Sequence, residues 1–415
     1  MKFLRALLLG LTAALALPLL AVEDFFDRLE ETLTTSALDA AIRARVSGTL
    51  DFEAYRFQTP APALIDVTGS ALFAPRLVAF LDAQLGAHVY LFAQTRVDRG
   101  FDPANGGLRA RVDEYALRFT PWSKLRLHFQ TGKFATIVGN WVPRHDAWTN
   151  PFISAPLPYE NLTGVWDYDI VHSSNQLLQW SHVRAGLSAA VTAIEKQRRL
   201  PIIWGPSYAL GAAAFGSFGK YSYAVELKNA DLSSRPTEWS DGSSARWAHP
   251  TASARFGFRP NEMWSLGWSA STGSYLRDYV TPAIGHGRGD YRESVLASDV
   301  GFGWHHWQMW TEVFATRFAI PNVGHADTLA YYTEIKYKFT PQLAGAIRWN
   351  QQLFGTVPDR GSTARWGRDT WRLDLAPGYR FTPYTQLKLQ YTLTHEAGAV
   401  HDLAHEIALQ VTLRF

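Results

Sequence analysis

The chain has 415 residues, no cysteine, a formal charge of +3, 19% charged residues and 14% aromatic ones. Without cysteine there are no disulfides, thiolate metal sites or cysteine nucleophiles, and a small net charge without basic runs leaves no nucleic-acid footprint. Beyond the N-terminus no run of about 18 apolar residues occurs, which excludes helical membrane spans, yet aromatic surface is plentiful and mean hydropathy is only −0.14.

Residues 1–21 read as a secretory signal, with Lys2 and Arg5 ahead of the apolar run LLLGLTAALALPLLA. Cleavage is expected after Ala21, or after Ala16. Residues 22–42 form an N-terminal periplasmic segment. Val22, Phe26, Leu29 and Leu33 stand at helix spacing, so a short helix or an unstructured lead is expected.

From Arg43 to Phe415 the period switches to two. Ile407, Leu409, Val411, Leu413 and Phe415 share one face of the last segment, and Glu406, Gln410, Thr412 and Arg414 share the other. The same split recurs around Leu387–Thr394 and Tyr331–Phe339. One face apolar and one wet is the pattern of an all-β, antiparallel transmembrane barrel. Arg118-Phe-Thr-Pro121, Lys338-Phe-Thr-Pro341 and Arg380-Phe-Thr-Pro383, with Gly257-Phe-Arg-Pro260 as a looser copy, mark short turns at one membrane face. Spans of 44–56, 64–73, 77–97, 109–119, 124–136, 164–173, 180–195 and 206–217, then ten more ending at 402–415, predict about 18 strands, with 16 as the fallback.

Residues 137–163, IVGNWVPRHDAWTNPFISAPLPYENLT, break this pattern with four prolines. So long a connection without periodicity points to function. It is expected to fold into the lumen as a constriction built on Arg144, His145, Asp146 and Glu160, among Trp141, Trp148, Phe152 and Tyr159.

Alternation assigns pore-lining basic residues Arg118, Arg126, Lys336, Lys338, Arg348, Arg372, Arg380 and Lys388, and acids Glu114, Glu334 and Asp374. Arg45, Arg96, Lys220, Lys228, Arg414, Asp51, Glu53, Asp82, Glu226, Glu312 and Glu406 fall on the same face. A lining of both signs predicts weak anion preference at most, since single-sign rings are what select strongly. His395, Glu396, His401, Asp402, His405 and Glu406 crowd one hairpin, but alternation sends His395 and His405 to the opposite face from the glutamates, so no metal site is expected. Asp169, His172, Ser173 and Ser174 lack the Gly-x-Ser-x-Gly elbow of a hydrolase.

The terminal strand HEIALQVTLRF and the segment Gly132-Lys133-Phe134 with Gly139 carry a family resemblance. The chain resembles a Gram-negative outer-membrane porin, and that segment is similar to one in the phosphate- and polyphosphate-type porins, whose barrels have 18 strands and usually form trimers. The resemblance implies an outer-membrane location, contact with lipid and lipopolysaccharide, a homotrimer, and delivery to the barrel-assembly machinery through Phe415. It implies passive diffusion of small hydrophilic solutes without catalysis or cofactor. No dense ladder of lumen arginines at one spacing is visible, so phosphate selectivity is not implied. The alternatives are a carbohydrate-favouring porin, for which the loop aromatics would stack on sugar rings, an outer-membrane barrel enzyme, and a plugged or export barrel.

Overall fold

The structure, a computed structural model, describes residues 19–37, 41–58, 61–65, 67, 69–98, 108–122, 126–182, 196, 198–277, 280, 287–398 and 403–415. Helix α1 (Leu19–Thr32) and strand β1 (Thr34–Ala37) precede the barrel. Its first eight strands are β2 (Ile42–Phe57), β3 (Ala71–Leu85), β4 (Val89–Asp98), β5 (Arg109–Phe119), β6 (His128–Phe134), β7 (Ala209–Phe218), β8 (Tyr221–Lys228) and β9 (Thr251–Phe258). The second half is β10 (Trp264–Ser274), β11 (Arg292–Trp304), β12 (Trp307–Ile320), β13 (Gly324–Lys338), β14 (Leu343–Phe354), β17 (Thr370–Arg380), β18 (Thr385–Glu396) and β19 (Ala404–Arg414), with a separate hairpin β15 (Thr356–Asp359) and β16 (Ser362–Arg365) between β14 and β17.

Every barrel strand pairs antiparallel with its neighbour in sequence, and β19 pairs with β2 from Arg414↔Thr49 to Glu406↔Phe57, so the sheet closes on sixteen strands. Closure leaves no unpaired edge, which is what a sheet surrounded by hydrocarbon requires. The side-chain faces follow from alternation: Phe52, Leu77, Leu91, Leu117, Leu389 and Ile407 are exposed outward, while Asp51, Glu53, Glu312, Glu334, Asp374, Gln390 and Thr412 are buried inward.

Sixteen is the fallback count, and the two excess strands lie in one place. β6 pairs directly with β7, from His128↔Phe215 to Phe134↔Ala209, so no strand stands between them in the wall. The strand expected over 164–173 is irregular chain. That expected over 180–195 begins inside helix α2 (Ser174–His182), and its residues 183–195 lie outside the described ones. Residues 161–167 are buried without alternation, because inside a lumen protein covers both sides of a segment.

The spans 64–73 and 77–97 also resolve differently. Residues 69–70 lead into β3, which runs unbroken through Pro75, paired with Phe52. The turn comes instead at 86–88, where Gly86 takes φ +63°. All four Pro-containing turn motifs lie at the barrel end that also holds the β2 start and Phe415. Long connections gather at the other end, as expected, apart from the tight turn after Ile320.

Helix α1, which starts at Leu19 within the stretch read as a signal, leans on the short-turn end. Phe26 stacks on Tyr384 at 5.2 Å, Glu30 pairs with Arg45 at 2.8 Å, and β1 pairs with the protruding start of β2.

Candidate functional site

The chain turns inward at the top of β6, and residues 135–182 and 198–208 run along the inner wall. Gly132 takes φ +137° and Gly139 φ +82°, a region that favours glycine. A Cβ on Gly139 would overlap Tyr159 Oη and the Glu312 carboxylate, and one on Gly132 would overlap the backbone of Tyr115. The resemblance segment therefore marks the point where the chain leaves the wall.

Successive strands then hold the loop. Glu114 accepts from Ala135 N at 2.7 Å, and Glu226 accepts from Thr136 Oγ1 at 2.8 Å. Glu312 accepts from the backbone of Asn140 and Trp141 and from Tyr159 Oη, the last at 2.7 Å. Arg144 pairs with Glu334 and stands 4.1 Å from the Trp310 ring centre. Arg348, fully buried, donates to Asp374 at 2.9 Å and to Ser154 O at 3.1 Å. Arg372 pairs with Glu160 and Asp374. Gln390 accepts from Ile153 N at 2.6 Å, and Lys388 donates to the carbonyls of Ala147 at 2.8 Å, Asn150 at 2.9 Å and Phe152 at 3.4 Å. Charge-assisted bonds of this kind are the strong ones, so the loop is fixed to the wall by polar side chains that alternation alone would leave facing water.

Among the described residues two chambers stand beside it. The one toward the long loops holds about 150 Å³ and is bordered by Arg76, Arg96, Arg111, His145, Glu160, Arg372 and Glu406. The one toward the short turns holds about 380 Å³ and is bordered by Arg144, Lys336, Lys338, Arg380 and Lys388, with Trp148, Trp310 and Tyr379. No carboxylate borders this second chamber among the described residues. Residues 147–152 form the septum between the two, and Asn150 borders both.

The four residues expected at the constriction come to different places. His145 and Glu160 face the smaller chamber and Arg144 the larger. Asp146 instead accepts from Trp148 N at 2.8 Å and Thr149 N at 2.9 Å, and so caps its own turn. His145 Nε2 is 2.6 Å from Tyr208 Oη and Nδ1 2.5 Å from Val142 O. Burial holds its imidazole below the usual pKa, and Arg96 adds to the effect. Burial raises the Glu160 carboxyl above its ordinary pKa against the opposing pull of Arg372.

Of the expected pore-lining residues, Glu114, Glu334, Arg348, Arg372, Asp374 and Lys388 take part in holding the loop, directly or through one another. Lys336, Lys338 and Arg380 face the larger chamber. Arg118 lies among the rings of Tyr90, Phe92 and Phe215, at 5.0 to 5.8 Å. Arg126 is exposed in the turn before β6 rather than on the strand. In the last hairpin, His395 stacks on Trp371 and His405 lies 2.8 Å from Tyr391 Oη.

Arg76 and Arg111 are absent from the inward set read by alternation. Arg76 follows Pro75, which reads as a strand break although β3 passes through it. The register of β4 against β5 shifts between Gln94 and Thr95, so Asp113 is an extra residue that turns both itself and Arg111 inward. Arg76, Arg96 and Arg111 thus form a row on three neighbouring strands, each within 3.1 Å of Asp51, Asp98 or Asp113.

No known sequence family matches the chain, and no curated protein sequence does. Solved structures do. OmpF of Salmonella typhi, in complex with daunomycin, superposes with a TM-score of 0.55 over 92% of this chain and 100% of its own at 10% identity. An anion-selective porin from Comamonas acidovorans gives 0.55 over 90% and 100% at 8% identity. The in-vitro folded OmpT of Vibrio cholerae in its trimer form gives 0.54 over 90% and 99% at 10% identity. The fold is that of the Gram-negative outer-membrane porins.

Proposed function

We propose that the protein is an outer-membrane porin, a passive channel for small hydrophilic solutes with weak anion preference and no catalytic chemistry. One observation carries the reading: a closed sixteen-strand barrel with an apolar exterior encloses a charged interior in which a long loop leaves two water-accessible chambers. In this reading the short turns face the periplasm and the long loops the cell exterior. The arginine row of the smaller chamber is matched by carboxylates, which supports weak rather than strict selectivity.

Trimerisation draws support from the outer wall. The exposed faces of β2, β3 and β4 carry Phe52, Phe73, Leu77, Leu81 and Leu91, with no exposed Trp or Tyr. Tyr221, Trp264, Trp268, Trp304, Trp307 and Trp349 stand exposed on β8, β10, β11, β12 and β14. Aromatic belts mark lipid contact, so β2–β4 are the proposed face between copies and β8–β14 the lipid face.

A plugged barrel is the second reading. The septum at 147–152, held from three carbonyls by Lys388, favours it. Single-channel recording in a planar bilayer under a salt gradient separates the two: steady steps with a small reversal potential support the porin, and silence from folded barrels supports the plug.

A further inference from the structure

The larger chamber has a charge problem that the protein does not solve for itself. Lys338 and Arg380 both repel Lys336, no carboxylate borders their chamber, and no ion pair engages any of the three among the described residues. Elsewhere in the lumen the arginines that hold the wall or the loop are matched: Arg76 by Asp51 and Glu53, Arg348 and Arg372 by Asp374. Arg144 on the same chamber is matched by Glu334, and Lys388 is engaged by loop carbonyls. The three unmatched cations are thus grouped in one place. Lys336 is half-buried and Lys338 and Arg380 stand exposed at the short-turn mouth of the chamber, so all three are within reach of an entering anion, which relieves the repulsion of like charges.

We propose that this chamber is a binding site for a small organic polyanion bearing two or more carboxylate or phosphate groups. Its volume of about 380 Å³ lies in the range of small-molecule sites. The three cations come from two strands, β13 and β17, so they can engage separate anionic groups of one molecule, which a single chloride cannot do. Trp148, with the Arg380 and Arg414 guanidinium groups 4.7 and 4.5 Å from its ring centre, and Trp310, with Arg144 at 4.1 Å, border the same chamber and hold those guanidinium groups at its wall. The septum narrows the inner end, so a ligand entering from the short-turn side would be held up there before passing on. The inference deepens the channel reading and rests on it for the route of entry.

The test is calorimetric titration of the folded protein in detergent with citrate, using acetate as the single-charge control. Citrate is expected to bind and acetate to show no saturable heat. Lys336→Gln/Lys338→Gln should weaken citrate at least about tenfold, given what a charged hydrogen bond contributes. Arg380→Gln, a separate variant on another strand, should do the same and stands in if the double variant misfolds. Citrate heat that is absent, equal to that of acetate, or unchanged in both variants overturns the site. Because calorimetry needs no current, citrate binding by a silent channel would sink the porin reading and keep the site. Open channels without citrate binding would do the reverse.

Discussion

The Lys388 ammonium on β18 donates to the carbonyl oxygen of Asn150 at 2.9 Å, joining the barrel wall to the residue that borders both lumen chambers. The same ammonium holds the carbonyls of Ala147 and Phe152, and Gln386 adds a bond of 2.7 Å to Ala147. Lys388→Met should therefore weaken the attachment of the septum by about 2–3 kcal/mol, the value of a charged hydrogen bond. Closure of the barrel does not depend on it. The expected outcome is a protein that still runs as a folded barrel on unheated gels and whose single-channel conductance rises. Unchanged conductance would show that the septum does not limit flow.

Acidification should make the channel more anion-selective. Burial raises the Glu160 carboxyl above 4.5 and lowers the His145 imidazole below 6.5. As pH falls from 7, Glu160 is neutralised earlier than an ordinary glutamate, exposing the charge of Arg372, and His145 gains charge only later. Both steps add positive charge to the smaller chamber. The reversal potential in a KCl gradient should move toward anion selectivity between pH 7 and about 4.5, and Glu160→Gln should already show part of that shift at pH 7. His145, with its depressed pKa, contributes stability that is present above pH 6.5 and lost as pH falls through its folded value.

Arg348 is buried without exposure between Asp374 and Ser154. Arg348→Met leaves Asp374 with Arg372 as its remaining cation, and breaking a buried pair of this kind costs about 3–5 kcal/mol. The temperature at which the folded band converts to the unfolded one on gels should fall measurably. Arg348→Met with Asp374→Leu should recover part of the loss.

The small outward residues Ala79 and Ala83 of β3 lie between exposed Leu77, Leu81 and Leu85. Ala79→Trp should disrupt packing between copies and release monomers in mild detergent, whereas Ala270→Trp on β10, beside Trp268, should leave the oligomer intact. Chemical cross-linking and mass measurement check both. A wild-type protein with the mass of one barrel would remove the trimer.

Much of this architecture is legible in the sequence because lipid outside and water inside impose a period of two on each strand. β19 from Glu406 to Leu413, β18 from Gln386 to Leu393 and β13 from Ala326 to Ile335 follow it. The Phe-Thr-Pro turns fix which end is which. The period fails where its physical cause is missing: the span 164–173, whose residues 164–167 are covered on both sides, reads as a strand without being one. Pro75 hides β3 and with it Arg76, and the bulge at Asp113 reverses the face of Arg111. The constriction is visible as a broken pattern, but the length of the connection is not, since β7 begins only at Ala209. Side-chain facing tells which residues point inward and cannot tell whether water or the loop meets them. That is why Arg348, Arg372 and Lys388 read as pore lining although each is bonded to the loop.

The central claim, that the barrel is a water-filled channel narrowed rather than sealed by residues 135–208, is tested most directly by single-channel current through the purified protein in a planar bilayer. The account predicts steady open steps, grouped in threes if the trimer holds, with a reversal potential near zero or mildly anion-selective at neutral pH. Folded barrels that insert and pass no current at any voltage would contradict it.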